Sequence, residues 1–272
     1  MRLALVVLLA GFLPPGLVNA SDSLVLRATG SKDTYRVIND QLAGWNGNVV
    51  EVPDCGHQAF GPHITQASDS ILKKDVFRFH AHRDHDDDRC RKSDRQRTEI
   101  KVYAKSPYWL KAEQGSRFTY HWKFKLDRSF QGSRSFTHLH QIKAVGGSEA
   151  SMPLITLSAR KGRRGKSDQF ELRYADHSKQ RTIKSRTLKP FLGLWVEATE
   201  TISYGENGQY SVTIKSVSTG EQIFSYQNNS IRMWKSGADF LRPKWGIYRS
   251  LKDKDNLRDE IVDFADFGIS RQ

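Results

Sequence analysis

The sequence predicts an all-β protein, a two-sheet antiparallel β-jelly roll in a single domain. Three observations carry this expectation. Apolar and polar residues alternate with period two in run after run beyond residue 76; short turn-forming pieces (QGSRS, KGRRGKSD, GENG, STG) separate the runs; and no long amphipathic helical pattern breaks the series. Half-buried strands of antiparallel sheets alternate in this way, and many of them joined by short turns must close on each other to bury their apolar faces.

The chain opens with Arg2 and an apolar run from Leu3 to Leu13, followed by small residues with Val18 and Ala20 placed for cleavage. This is the pattern of a secretory signal peptide over residues 1–20, too short for a membrane span. The domain is then expected over 21–272, secreted and extracellular. Residues 21–75 are less regular than the rest of the domain. The two cysteines, Cys55 and Cys90, read as one disulfide in an oxidising compartment, the alternative being two buried thiols. A closure of that length contributes roughly 3–4 kcal/mol in the chain-entropy model. Asn228-Asn229-Ser230 is a glycosylation sequon.

The strands expected in order are VFRFHAH (76–82), RTEIKVYA (97–104), FTYHWKFKL (118–126), FTHLHQIK (136–143), LITLSAR (154–160) and QFELRYA (169–175). Further along the chain come LWVEATETISY (194–204), QYSVTIKSV (209–217), EQIFSYQ (221–227), KWGIYRS (244–250) and EIVDFADFGISR (260–271). FTYHWKFKL is the clearest: Phe118, Tyr120, Trp122, Phe124 and Leu126 share one face, and Thr119, His121, Lys123 and Lys125 the other. In FTHLHQIK the alternation fails, because Leu139 and Ile142 have opposite parity. A β-bulge near His140–Gln141 would reconcile them. No linker or internal repeat divides the chain.

The chain carries a formal charge of +13, of which Arg2 in the leader supplies one. Such an excess points to an anionic partner. Export favours an acidic polysaccharide over nucleic acid, and neither a nucleic-acid nor a membrane partner is expected; the protein reads as a monomer. The polar strand faces collect Arg97, Glu99 and Lys101 on one strand, Arg78, His80 and His82 on another, and Lys244 with Tyr248 across Gly246 on a third. Solvated surface explains each singly. Together they suit an extended anionic sugar chain, and they suit β-elimination of a uronate. That reaction needs a cation or amide on the carboxylate, a base for the C5 proton, and an acid for the leaving glycosidic oxygen. A tyrosine, ordinarily near pKa 10, suits the acid.

Three motifs in order, RQRTEIK (95–101), HLHQIK (138–143) and PKWGIYR (243–249), resemble those of the jelly-roll polysaccharide lyases, which include alginate lyases, glucuronan lyases and heparin lyase I. The closing EIVDFADFGISR is similar to the last strand of concanavalin-like sandwiches. The resemblance covers about residues 70–271. It implies that Arg97 and Gln141 contact the uronate carboxylate and that Tyr248, with Lys244 beside it, is the catalytic acid and a candidate for the base as well. It also implies a catalytic histidine. Where alginate lyases have Gln-Ile-His, this sequence has Gln141-Ile142-Lys143, so the base is expected from His82 first, then His140, then His80. Lys244, Lys143, His140, His80, Lys101 and Arg249 are the expected substrate-binding residues.

No cofactor is required by this chemistry. The acidic cluster DHDDDR (84–89) offers oxygen ligands to a structural Ca²⁺, or simply offsets neighbouring arginines. No zinc spacing, phosphate-cradling loop or nucleophile elbow is present. The expected function is a secreted lyase for a glucuronan-like polymer. The alternatives are a non-catalytic carbohydrate-binding jelly roll and a concanavalin-like glycoside hydrolase. Against the hydrolase, Glu197 and Glu200 have opposite parity on their strand.

Overall fold

The computed structural model describes residues 22–44 and 46–272; the leader expected at 1–20 lies outside the described residues. The strands are β1 Ser23–Leu26, β2 Val50–Glu51, β3 Ile64–Asp69, β4 Lys74–Ala81, β5 Arg95–Lys101, β6 Arg117–Leu126, β7 Thr137–Val145 and β8 Ile155–Arg160. They continue as β9 Gln169–Tyr174, β10 Arg181–Thr187, β11 Trp195–Ser203, β12 Gly208–Ser216, β13 Gln222–Ile231, β14 Phe240–Ser250 and β15 Glu260–Arg271. A nine-residue helix, α1 (Thr34–Leu42), lies in the N-terminal part. Asp33 caps it by accepting from Arg36 N–H, and Ile38 and Leu42 are buried.

One sheet runs β13-β12-β11-β6-β15-β4-β3, with β1 added against the far end of β15; the other runs β10-β9-β8-β7-β14-β5-β2, all pairings being antiparallel. The expected sandwich is therefore the observed one. Alternation dictates which face of each strand is buried. On β6 the five apolar residues are buried while Thr119, His121, Lys123 and Lys125 are half-buried on the outer face, where Lys123 pairs with Asp266 and Lys125 with Asp69. Trp122, Trp245, Phe77, Phe79, Phe124 and Phe170 are among the largest fully buried side chains between the sheets. Each contributes roughly 1.5–3 kcal/mol of transfer free energy. The disulfide Cys55–Cys90 is formed, with Cα atoms 6.1 Å apart.

Two expected surface residues prove to be interior. His140 sits between the indoles of Trp122 and Trp245, with centroids 4.5 and 5.5 Å away, and its Nε2 contacts Glu200 at 2.9 Å. Tyr210 donates to the other Glu200 oxygen at 2.8 Å, so the carboxylate satisfies two polar groups inside the core. Arg249 is fully buried between the sheets; its Nε donates to Gln96 Oε1 and its Nη2 to Ala81 O. Burial lowers its pKa to about 10. Neither side chain reaches the outer face of the β7–β14–β5 sheet.

The bulge anticipated from the parity of Leu139 and Ile142 is present and double. Between β7 and β8 the register slips at Leu139, and between β14 and β7 two residues, Gly246 and Ile247, oppose one. Gly246 has φ +142°, a conformation closed to L side chains, and a Cβ there would overlap Thr98 O and the Glu99 backbone of β5. The glycine thus makes room for the neighbouring strand. Its consequence is that Tyr248 pairs across the ladder with His138; unbroken register would place Ile247 there. Gly246→Ala is expected to cost at least ~2 kcal/mol in denaturant unfolding.

Candidate active site

Tyr248, Gln141 and Arg97 are brought together on the outer face of the seven-stranded sheet. They line an open cleft of about 540 Å³ with Arg95, Phe136, His138, Lys143, Arg173, Lys179 and Gln180, among others. Strands β5, β7 and β14 form its floor. The loops around Met152–Pro153 and Ser178–Gln180 form a wall. Five of the lining residues are cationic and none is Asp or Glu.

Tyr248 is fixed from two sides. The guanidinium carbon of Arg97 lies 3.6 Å from its ring centroid, and Arg95 Nη1 donates to its hydroxyl at 3.1 Å. The ring of Phe136 packs at 5.0 Å. Arg95 stands inside the motif singled out from sequence but was not among the expected site residues; only the third dimension places it on the phenol oxygen.

Arg97 lines the cleft and is held by carboxylates beneath it. Its Nε and Nη2 donate bidentately to Asp88 at 2.7 and 3.1 Å, and Nη1 donates to Glu99 at 2.5 Å. Burial opposes its charge, but Glu99, Asp88 and Glu51 raise its pKa above the ordinary arginine value. Lys244, expected to face the sugar, is 2% exposed and pairs with Glu51 at 2.5 Å and Glu99 at 2.6 Å. Lys101 is likewise buried on Glu51 at 2.9 Å. Burial would raise the Glu51 pKa, yet Lys244, Arg97 and Lys101 hold it well below the carboxylate range. These residues form a charged layer beneath the floor, and Lys244 and Lys101 do not line the cleft.

That layer orients Gln141. Its Nε2 donates to Glu99 Oε1; a carboxylate only accepts, so this contact fixes which end of the amide is the nitrogen. Lys143, two residues on, donates to Ser151 O at 2.8 Å. Burial, with Lys244, Arg97 and Arg242 nearby, lowers its pKa to about 8.

The histidine in the cleft is His138, absent from the expected site residues because the bulge falls at Leu139 and not at His140–Gln141. Its Nδ1 meets Ser158 Oγ at 2.7 Å, and that hydroxyl donates onward to Thr156 Oγ1 at 3.1 Å. Ser158 therefore accepts from Nδ1–H, which leaves Nε2 as the unprotonated nitrogen. Burial, reinforced by Arg173, Arg97 and Lys143, holds the imidazole pKa well below its usual value, so the ring is neutral.

His82 and His80, expected first and third as the base, lie elsewhere. Both stand at the end of β4 in the other sheet, packed on Phe60, with His80 Nε2 on Thr65 Oγ1 and His82 Nδ1 on Asp86. Burial with His82 and Arg78 lowers the His80 pKa to about 4. The carboxylates of the 84–89 cluster diverge. Asp84 pairs with Arg83, Asp86 with histidines, and Asp88 with Arg89 and Arg97, so they form no shared oxygen cage of the kind Ca²⁺ takes.

No protein-family model matches the sequence, and no curated protein matches it either. Solved structures do match in fold. An endo-β-1,4-glucuronan lyase from the fungus Trichoderma reesei aligns at TM-score 0.53 and 12% identity, over 76% of this chain and 85% of that one. An alginate lyase bound to an alginate trisaccharide aligns at 0.58 and 9%, over 92% and 97%. An alginate lyase from Pseudomonas aeruginosa aligns at 0.52 and 14%, over 82% and 97%. The protein has the jelly-roll fold of these polysaccharide lyases.

The charged layer sets a pH dependence. The folded pKa of Glu51 lies below its unfolded value near 4.3, so its stabilisation is complete above that pH and is lost progressively as pH falls below it toward the folded value. Glu51→Gln is expected to lose ~3 kcal/mol at pH 7 by leaving buried cations uncompensated. In denaturant titrations the gap to the parent should narrow below about pH 4.

Proposed function

We propose that this protein is a secreted polysaccharide lyase that cleaves an anionic, uronate-containing polymer by β-elimination, with a glucuronan-type chain as its first candidate substrate. One observation carries the reading: the Tyr248 hydroxyl stands in a cleft with five lining cations and no lining carboxylate. The cations suit a polyanion. The missing carboxylates leave a paired-carboxylate hydrolase without its acid and base. The leader sequence supports export, and the shared fold with glucuronan and alginate lyases supports the class.

The geometry supports the following roles. Gln141 and Lys143, two residues apart on β7 and both lining the cleft, neutralise the uronate carboxylate and make the C5 proton acidic. His138 Nε2 takes that proton, its tautomer being held by Ser158. The C5–H electron pair becomes the C4–C5 double bond as the C4–O bond breaks. Tyr248 gives its proton to the departing glycosidic oxygen, and Arg95 stabilises the phenolate left behind. The products are an unsaturated non-reducing end and a free hydroxyl, with no water added. His138 returns its proton to Tyr248 through solvent.

Incubation with glucuronan, alginate, pectate and glycosaminoglycans, followed by ultraviolet absorbance of the conjugated unsaturated uronate, tests the reading. Tyr248→Phe and His138→Ala are each expected to lower kcat by ~10²–10⁴-fold. Polymer binding by Tyr248→Phe should change little. New reducing ends without absorbance would identify a hydrolase, and binding without either would identify a carbohydrate-binding module.

A second expectation concerns pH. Lys143 loses its proton through about 8, so a contact with the substrate carboxylate weakens as pH rises past that value. KM should rise there, and Lys143→Arg, which stays charged, should abolish the rise in a pH series.

A further inference from the structure

Away from the cleft, four residues from two separate segments converge: His57 and His63 from the loop before β3, and His82 and Asp86 from the β4–β5 loop. Their ligand atoms all lie within 4.8 Å of one another. His57 Nδ1 and His63 Nε2 are 3.3 Å apart, and each meets the same oxygen of Asp86, at 2.8 and 3.0 Å. Two imidazole nitrogens pointed at each other, with one carboxylate oxygen between them, share one hydrogen-bonding need among three atoms. Ligands ~2.0–2.1 Å from a tetrahedral Zn²⁺ stand roughly 3.3–3.4 Å apart, so this triangle is already close to the edge lengths of a metal site. His82 lies against the other Asp86 oxygen at 3.1 Å and offers the fourth donor.

The surroundings are those of a ligand set as well. The second nitrogen of His63, Nδ1, contacts Asp54 at 2.7 Å, and Asp54 in turn accepts from Tyr35 OH at 2.7 Å. A carboxylate on the far nitrogen is what orients a metal-binding imidazole and raises its basicity. His63 and Asp86 are buried, and the Phe60 ring packs on His63 and His82 at 4.9 and 4.1 Å.

We propose that His57, His63, His82 and Asp86 form a structural site for a late first-row divalent cation, zinc foremost. Three nitrogens and one carboxylate suit zinc and are too poor in oxygen for calcium, which takes 6–8 oxygen ligands. Four protein donors leave no open position, which makes the role structural. The site would clamp the loop before β3 to the β4–β5 loop, beside the Cys55–Cys90 bridge. The same β4–β5 loop holds Arg97 through Asp88 and through the Asp87 carbonyl, so the metal would steady the support of Tyr248 from a distance.

The test uses the full mature chain, stripped with a chelator and titrated with zinc against a chromophoric competitor. One zinc per chain is expected, with a rise in melting temperature on loading. His57→Gln and His63→Ala should each weaken binding ~100-fold or more, and Asp54→Asn ~10–100-fold. His177→Ala, remote from the cluster, should leave binding unchanged. If His63→Ala fails to fold, His57→Gln, at the partly exposed rim, carries the comparison. A parent chain that takes up no stoichiometric zinc, takes up calcium here instead, or binds zinc equally well as His57→Gln overturns the proposal.

Discussion

Everything in the cleft rests on a layer of buried charge. Glu51, Glu99 and Asp88 lie under the floor against Arg97, Lys244 and Lys101, in contacts of 2.5 to 3.1 Å. Charges without water are tolerated only when each is paired and its remaining donors and acceptors are met, so no member moves freely. That stiffness is passed upward. Arg97 is locked by two carboxylates and becomes a flat platform for the Tyr248 ring; Glu99 takes one hydrogen of Gln141 and so decides which way its amide points. The groups that would meet substrate are held by groups that do not.

The layer also divides labour among the cations. Lysines and arginines on a polar strand face look equivalent in sequence, yet their burial separates them. Lys244 and Lys101 are consumed in neutralising Glu51 and Glu99. Lys143, Arg95 and Arg173 reach the cleft wall. A positive cleft over a nearly neutral base is a better arrangement for a polyanion than a uniformly positive one, since the floor does not repel itself and the free cations are those within reach of solvent.

The same division governs how much of the site is legible in sequence. Period two on β5, β6 and β14 determines the sandwich, the core aromatics and the face on which Arg97 and Tyr248 meet, because alternation is a local property of the chain. Strand β10 escapes such a reading because almost none of its side chains is buried, so it carries no apolar period; α1 and the short β2 lie in the irregular N-terminal part and escape it too. The histidines fail differently. A bulge displaces parity by one, and the sequence signals that a bulge exists without saying between which two residues it falls. Placed at Leu139, it turns His140 into the core and His138 to the cleft. His82 is misjudged from sequence since its partners, His57 and His63, lie in the irregular segment and meet it only through the fold.

The two bulges at the centre of the sheet therefore act as one device. The slip on β14 at Gly246 moves Tyr248 by one position along β7, and the slip on β7 at Leu139 rotates His138 toward the same side. Either alone would leave the phenol opposite a residue pointing elsewhere. Coming together, they put Tyr248 and His138 side by side, ring centroids 5.9 Å apart, while Trp245, Ile247 and Leu139 stay buried between the sheets. A regular sheet offers side chains at fixed intervals set by the ladder; an acid and a base meant for adjacent atoms of one sugar need closer and more particular spacing. The irregularity is where the fold departs from its own period, and it is also where the candidate chemistry sits.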